Sequence, residues 1–152
     1  MVEEGAMAPD FRLMGVDGKN HTLKEFKGRY VVLYFYPKDD TPGCTIEAKD
    51  FTKNAEDIRK LGAEIVGVST DDFESHCNFR DKYGLGILLL SDPERRVIKE
   101  YDSYGERGAF GPGTLRKTYI IGRDGRIVKN FGKVNPLGHA EAVLKALKEL
   151  AR

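Results

Sequence analysis

The sequence predicts a mixed α/β sandwich: a central sheet covered by helices on both faces, with a β-hairpin ahead of its first central strand. Three observations lead there. Tyr30 to Tyr36 is a near-continuous apolar run, which reads as a strand buried on both faces. Strand and helix patterns then alternate, and that alternation demands parallel strands joined by right-handed crossovers. Turn signals at Asp17-Gly18 and Gly122-Arg-Asp-Gly125 mark one hairpin before the parallel core and another after it.

In chain order, residues 9–23 supply two short strands about Asp17-Gly18, with His21 a surface strand residue, and Leu23 to Gly28 makes one helical turn. Pro37 stops the central strand, and a short polar loop follows. Thr41-Pro42 starts a helix, with Thr41 as N-cap and Pro42 at the first helical position. Cys44, Ala48, Phe51, Ala55, Ile58 and Leu61 recur at helical spacing, and the stripe ends at Gly62. Glu64 to Ser69 is the next strand. Asp71 to Tyr83 is a helix stopped by Gly84, Ile87 to Leu90 a short strand, and Asp92-Pro93 opens a helix to about Tyr101.

Residues 102–115 are rich in glycine, lack periodicity and read as a surface loop; no Gly-Lys-Ser/Thr follows to make it a phosphate cradle. Lys117 to Ile121 and Arg126 to Phe131 pair as the second hairpin. Leu137 to Ala151 is a last helix with Val143, Ala146, Leu147 and Leu150 on one face.

Residues 1–152 make one domain, long enough to bury a sizeable core. With 40% hydrophobic and 32% charged residues the chain suits a soluble globular protein. A net charge of +1 gives no bias towards nucleic acid or an anionic membrane. No apolar stretch approaches the roughly 20 residues of a membrane helix. The acidic start, Met-Val-Glu-Glu-Gly, is unlike a signal peptide, so a cytoplasmic location is expected. Two cysteines, Cys44 and Cys77, are too few for a disulfide scaffold.

The polar loop and the helix start place Cys44 in the first turn of a helix. First-turn N–H groups have no intrahelical partner, and the helix dipole is positive there. Cysteines in such places have pKa values lowered from about 8.5 to roughly 3.5–7.5, and the thiolate is the nucleophile. The alternative is a small buried residue at a strand–helix junction; the Thr-Pro-Gly-Cys context favours reactivity.

Pro37-x-x-x-Thr41-x-x-Cys44 resembles the active-site signature of the peroxiredoxins. The longer run from Phe35 to Ala48 resembles the bacterioferritin comigratory protein, or peroxiredoxin Q, subfamily. Ala8-Pro-Asp-Phe, Tyr83-Gly-Leu, Leu90-Ser-Asp-Pro, Arg116-Lys-Thr-Tyr and Gly138-His-Ala-Glu extend the likeness along nearly the whole chain. The resemblance implies a thioredoxin-like fold and a thiol-dependent peroxidase. Cys44 attacks a peroxide, becomes a sulfenic acid and is re-reduced by a thioredoxin-like donor. It also implies that Thr41 acts as more than an N-cap, two roles that need different hydroxyl orientations. Pro37 stiffens and shields the loop. Arg116 is implied as the cation beside Cys44, and Glu47, one turn on, is expected to hold it by a bidentate pair rather than stand as a solvated first-turn acid.

The subfamily pattern breaks at Lys49, where many members carry a second cysteine. Cys77 is then the one candidate resolving thiol, expected partly exposed beside an apolar face of Phe73, His76, Phe79 and Tyr83. Otherwise it is incidental and the cycle uses one cysteine. His21, His76 and His139 lack metal-ligand spacing, and Asp39-Asp40 and Asp71-Asp72 read as turn and cap acids, so no metal or other cofactor is expected. The expected partners are a peroxide and a thioredoxin-like reductant, with the chain a monomer or weak homodimer that binds neither nucleic acid nor membrane. The reading from another class is a thioredoxin-fold binding or chaperone module without turnover; Thr41, Cys44, Glu47 and Arg116 together speak against it.

Overall fold

A computed structural model describes residues 2–151; residues 1 and 152 of the expected domain lie outside the described residues. Its strands are β1 (Arg12–Gly15), β2 (Asn20–Thr22), β3 (Tyr30–Phe35), β4 (Ala63–Ser69), β5 (Leu88–Ser91), β6 (Tyr104–Glu106), β7 (Pro112–Thr114), β8 (Lys117–Ile121) and β9 (Ile127–Phe131). Its helices are α1 (Pro42–Lys60), α2 (Phe73–Tyr83), α3 (Arg96–Glu100) and α4 (His139–Leu150). Seven strands form one sheet in the order β2-β1-β5-β4-β3-β8-β9. The heart, β3, β4 and β5, is parallel, as strand–helix alternation requires. The two hairpins add antiparallel strands at the flanks.

Strand β3 carries the core on both sides because successive side chains alternate. Val32, Tyr34 and the following Tyr36 face one cluster, completed by Phe51 and Ile58 of α1, Phe79 of α2, and Val143 and Leu147 of α4. Val31, Leu33 and Phe35 face the other, with Val97 and Ile98 of α3, Tyr101, Tyr119 and Phe11. Each such side chain contributes about 1.5–3 kcal/mol by leaving water. Helices therefore cover both faces, as expected.

Local signals act as the sequence implies. Thr41 occupies the N-cap position of α1 with Pro42 inside the first turn, although its side chain makes no capping bond. The Asp72 carboxylate accepts from the Ser75 amide to cap α2, and Gly84, at φ 62, closes that helix in the left-handed conformation.

Four expectations need correction. Residues 102–115 are not a plain loop: β6 and β7 pair as a small separate ribbon around a 3₁₀ turn at Gly108–Phe110. Strands this short and rich in glycine leave no periodic trace. Asp92-Pro93 makes a turn, and the helix proper starts at Arg96. Phe73, the first residue of α2, is 44% exposed and stands outside the packed face that His76 and Phe79 form. His21 is no free surface residue: its ring lies between Asp17 and Glu25, each 2.8 Å away.

Candidate active site

The end of β3, the turn of residues 36–41 and the first turn of α1 set the site. Pro37 is half-buried at the head of that turn. The Thr41 hydroxyl does not cap the helix. It donates to the Lys38 carbonyl at 2.8 Å, so its lone pairs remain to accept. The first intrahelical bond runs from the Thr45 amide to the Thr41 carbonyl. That leaves the Gly43 and Cys44 N–H groups as first-turn donors without an intrahelical acceptor. Cys44 begins the buried stripe of α1 and is 2% exposed.

Arg116 stands just before β8, the antiparallel neighbour of β3, and reaches across to α1. Its Nη2 lies 3.4 Å from the Cys44 sulfur, and its Nη1 donates to Glu47 Oε1 at 2.8 Å. The guanidinium keeps 17% of its side chain exposed while Glu47 is almost wholly covered, so the site borders solvent on the arginine side. Glu47 Oε2 has no partner among the described residues, so the pair is single-armed and not bidentate as expected, because the second guanidinium nitrogen goes to the Cys44 sulfur. Burial pushes the Glu47 carboxyl up, against the Arg116 charge and hydrogen bond that pull it down, and the net result is about 7. Burial lowers Arg116, but the Cys44 and Glu47 charges beside it outweigh this and raise it. The approach is close: a Cβ at Gly43 would come within 3.0 Å of Arg116 Nη2. A side chain at position 43 would therefore press on the guanidinium that meets Cys44.

The structure brings Cys44, Glu47 and Arg116 into one cluster, with Thr41 and Pro37 on the adjoining turn. It does not bring Cys77 there. The half-buried Cys77 thiol donates to the Val16 carbonyl at 3.7 Å, and the Val16 amide bonds to Leu89 of β5. Both thiols are free and each has its own partner, the Arg116 guanidinium for Cys44 and the Val16 carbonyl for Cys77.

Sequence reasoning passed over three groups nearby. His139, whose Nε2 is 2.8 Å from the Thr118 hydroxyl, sits edge-on to Phe51 and Phe131, and burial with the Arg116 charge lowers it to about 4. Tyr34 stacks on Phe51 at 4.7 Å, and its hydroxyl is buried with no partner among the described residues. Asp39, expected as a turn acid, is a buried hub bonded to Tyr36, Ser75 and His76. A histidine on the apolar face of α2 was the available signal, since a buried imidazole needs a polar partner.

A cysteine sulfur bonded to a guanidinium, in the first turn of a helix beyond the end of a central parallel strand, defines a thiol-redox protein built on a thioredoxin-like sheet. Residues 5–130 match the AhpC/TSA family, and the chain belongs to that family, in its Bcp/peroxiredoxin Q branch. It is 44% identical over 149 residues to the putative peroxiredoxin bcp of Helicobacter pylori J99, covering 96% of this chain and 98% of the relative. It is 41% identical over 153 residues to peroxiredoxin Bcp of Bacillus subtilis, covering 99% and 98%. Among solved structures, Xanthomonas campestris peroxiredoxin Q superposes with a TM-score of 0.92 at 38% identity, covering 100% and 98%. A cysteine variant of Xylella fastidiosa PrxQ superposes with a TM-score of 0.96 at 33% identity, covering 100% and 99%. The protein is accordingly a thioredoxin-like thiol peroxidase, with a peroxide as substrate and a thiol as reductant.

Proposed function

We propose that Cys44 is the residue that attacks the peroxide, with Arg116, Thr41 and the first-turn amides as its supports. The observation that carries this is the Arg116 guanidinium joined to both the Cys44 sulfur and Glu47. The thiolate attacks the terminal, hydrogen-bearing oxygen of the peroxide. The S–O bond forms as the O–O bond breaks. Sulfur is oxidised to the sulfenic acid, and the other oxygen leaves as an alkoxide or hydroxide that takes a proton to become an alcohol or water. Arg116 and the Gly43 and Cys44 N–H groups donate to the charge that moves onto the departing oxygen. The Thr41 hydroxyl, whose own O–H is donated to the Lys38 carbonyl, accepts a hydrogen bond from the O–H of the attacked oxygen, which stays on that oxygen in the sulfenic acid. Glu47 orients the guanidinium. Pro37 stiffens the turn and gives up a donor that would hold water.

A solved structure of the Xanthomonas campestris bacterioferritin comigratory protein is described in terms of alkyl peroxide reduction, which supports organic hydroperoxides alongside hydrogen peroxide as substrates here. Reduction of the sulfenate needs an external thiol, and a thioredoxin-like protein fits the chemistry. The Cys77 thiol is engaged by the Val16 carbonyl and not by the Cys44 cluster, which supports direct reduction, a one-cysteine cycle; a bridge to Cys77 requires local unwinding around Cys44, or Cys77 from another molecule. The chain acts as one domain, monomeric or weakly dimeric, in the cytoplasm. No helix among the described residues is long and apolar enough to cross a membrane.

Peroxide consumption with dithiothreitol and with thioredoxin as donor tests the assignment. Cys44→Ser is expected to abolish turnover, and Arg116→Ala to slow the peroxide step by about a hundredfold, the usual loss for one oxyanion donor. Turnover near the wild-type rate in Cys44→Ser would remove that residue from the site.

A further inference from the structure

The turn before Cys44 is tied to α2 by two consecutive acids. Asp39 is 6% exposed and His76 fully buried. The Asp39 carboxylate accepts from the Tyr36 hydroxyl at 2.6 Å, the Ser75 hydroxyl at 2.9 Å and His76 Nδ1 at 2.7 Å. The Asp39 amide donates to Asp71 Oδ2 at 2.8 Å, and that oxygen also accepts from Ser69 at the end of β4. His76 Nε2 lies 3.0 Å from the Leu90 carbonyl, so both ring nitrogens face oxygens that accept. Next to it, Asp40 holds a φ of 56, a left-handed conformation, and its carboxylate meets Lys82 Nζ at 2.7 Å and the Tyr83 hydroxyl at 2.6 Å. The Asp40 contacts are exposed and of small worth. The Asp39 contacts are buried and charge-assisted, and each loses its partner if the carboxylate goes.

The ligand atoms of Asp39, Asp71 and His76 lie within 4.8 Å of one another, a spacing that would suit a metal. Each side chain is already engaged by protein groups, so the cluster serves as a hydrogen-bond hub.

We propose that Asp39 and His76 form a positioning pair for the peroxide step, holding the Pro37–Thr41 turn against α2 so that the Thr41 hydroxyl keeps its place relative to the Cys44 sulfur. Thr41 is two residues from Asp39, and its hydroxyl is aimed by the Lys38 carbonyl of the same turn. A turn released from α2 moves the Thr41 hydroxyl, the peroxide's acceptor, while leaving the sulfur and Arg116 where α1 and β8 put them. Ångström-scale misplacement of such groups slows a reaction although the nucleophile is intact. The inference rests on the roles assigned above to Cys44 and Thr41.

The test compares two reactions at one sulfur. Hydrogen peroxide needs the turn's hydrogen bonds, whereas alkylation by iodoacetamide does not. Single-turnover peroxide rates and the alkylation rate of the Cys44 peptide, read by mass spectrometry, are measured for wild type, Asp39→Asn and His76→Gln. Either variant is expected to slow the peroxide reaction about tenfold while alkylation stays within about twofold. An unchanged peroxide rate overturns the proposal, and so does one that falls in step with alkylation. Should neither variant fold, Ser75→Ala removes one donor to the same carboxylate. It is expected to lower the ratio of the two rates about threefold, and an unchanged ratio overturns the pair. Wild type separates the two levels of failure: no peroxide reaction at Cys44 there defeats the assignment of Cys44, and the pair with it.

Discussion

Glu47 and His139 are shifted in opposite directions by the same surroundings. Burial, against the pull of Arg116, raises Glu47 from 4.5 to about 7. Burial and the Arg116 charge lower His139 from 6.5 to about 4. Their effects on stability have opposite signs. As pH rises from 4.5 to about 7 the unfolded chain gives up a Glu47 proton that the folded protein keeps, so stability falls. As pH drops from 6.5 to about 4 the unfolded chain takes up a His139 proton that the folded protein refuses, so stability falls in that direction too. Each is limited to about 3 kcal/mol. Between 4.5 and 6.5 the two oppose each other. Glu47→Gln removes the first, so its unfolding free energy should climb more steeply with pH across that window than that of wild type. Urea titrations at the two ends of the window check this, and an equal or shallower slope contradicts it. Of these residues, Cys44 and Glu47 were legible in the sequence because helical spacing sets them one turn apart. Arg116 lies 69 residues from Glu47 and was legible only through the family resemblance. Nothing local announced Asp39 as a hub, since its partner His76 is 37 residues away.

At the scale of elements, the parallel core is close-packed where β3 meets β4. Tyr34 pairs in register with Gly67, and its ring lies across that glycine. A Cβ at Gly67 would come within 2.8 Å of the Tyr34 ring carbon Cζ. Gly67→Ala must therefore displace Tyr34, which stacks on Phe51 of α1, the helix that carries Cys44. A loss of about 1–3 kcal/mol is expected in urea unfolding, the usual cost of overpacking. A change below about 0.5 kcal/mol would show that Tyr34 moves aside freely. Long elements with strong patterns, β3 and α1 above all, were legible because burial imposes a period on them. The β6–β7 ribbon was not, because three-residue strands paired only with each other impose none. The late start of α3 follows from Arg95, whose φ of 61 breaks the helical path that Asp92-Pro93 seemed to open.

Over the whole molecule, the sheet sorts the two cysteines. One sulfur is held by a guanidinium beside β8, the other by a carbonyl at the far side of β5. Which partner each thiol meets is decided by long-range packing, which is why a sequence with two cysteines leaves the resolving step open; the proposed one-cysteine cycle follows from the separate partners of the two thiols. The central claim is that peroxide oxidises Cys44 and leaves Cys77 alone. Its most direct test treats the protein with one equivalent of hydrogen peroxide in the presence of dimedone and maps the peptides by mass spectrometry. The account predicts a dimedone adduct on the Cys44 peptide with Cys77 still a free thiol. A Cys44–Cys77 disulfide, or an adduct on Cys77 with Cys44 unmodified, would contradict it.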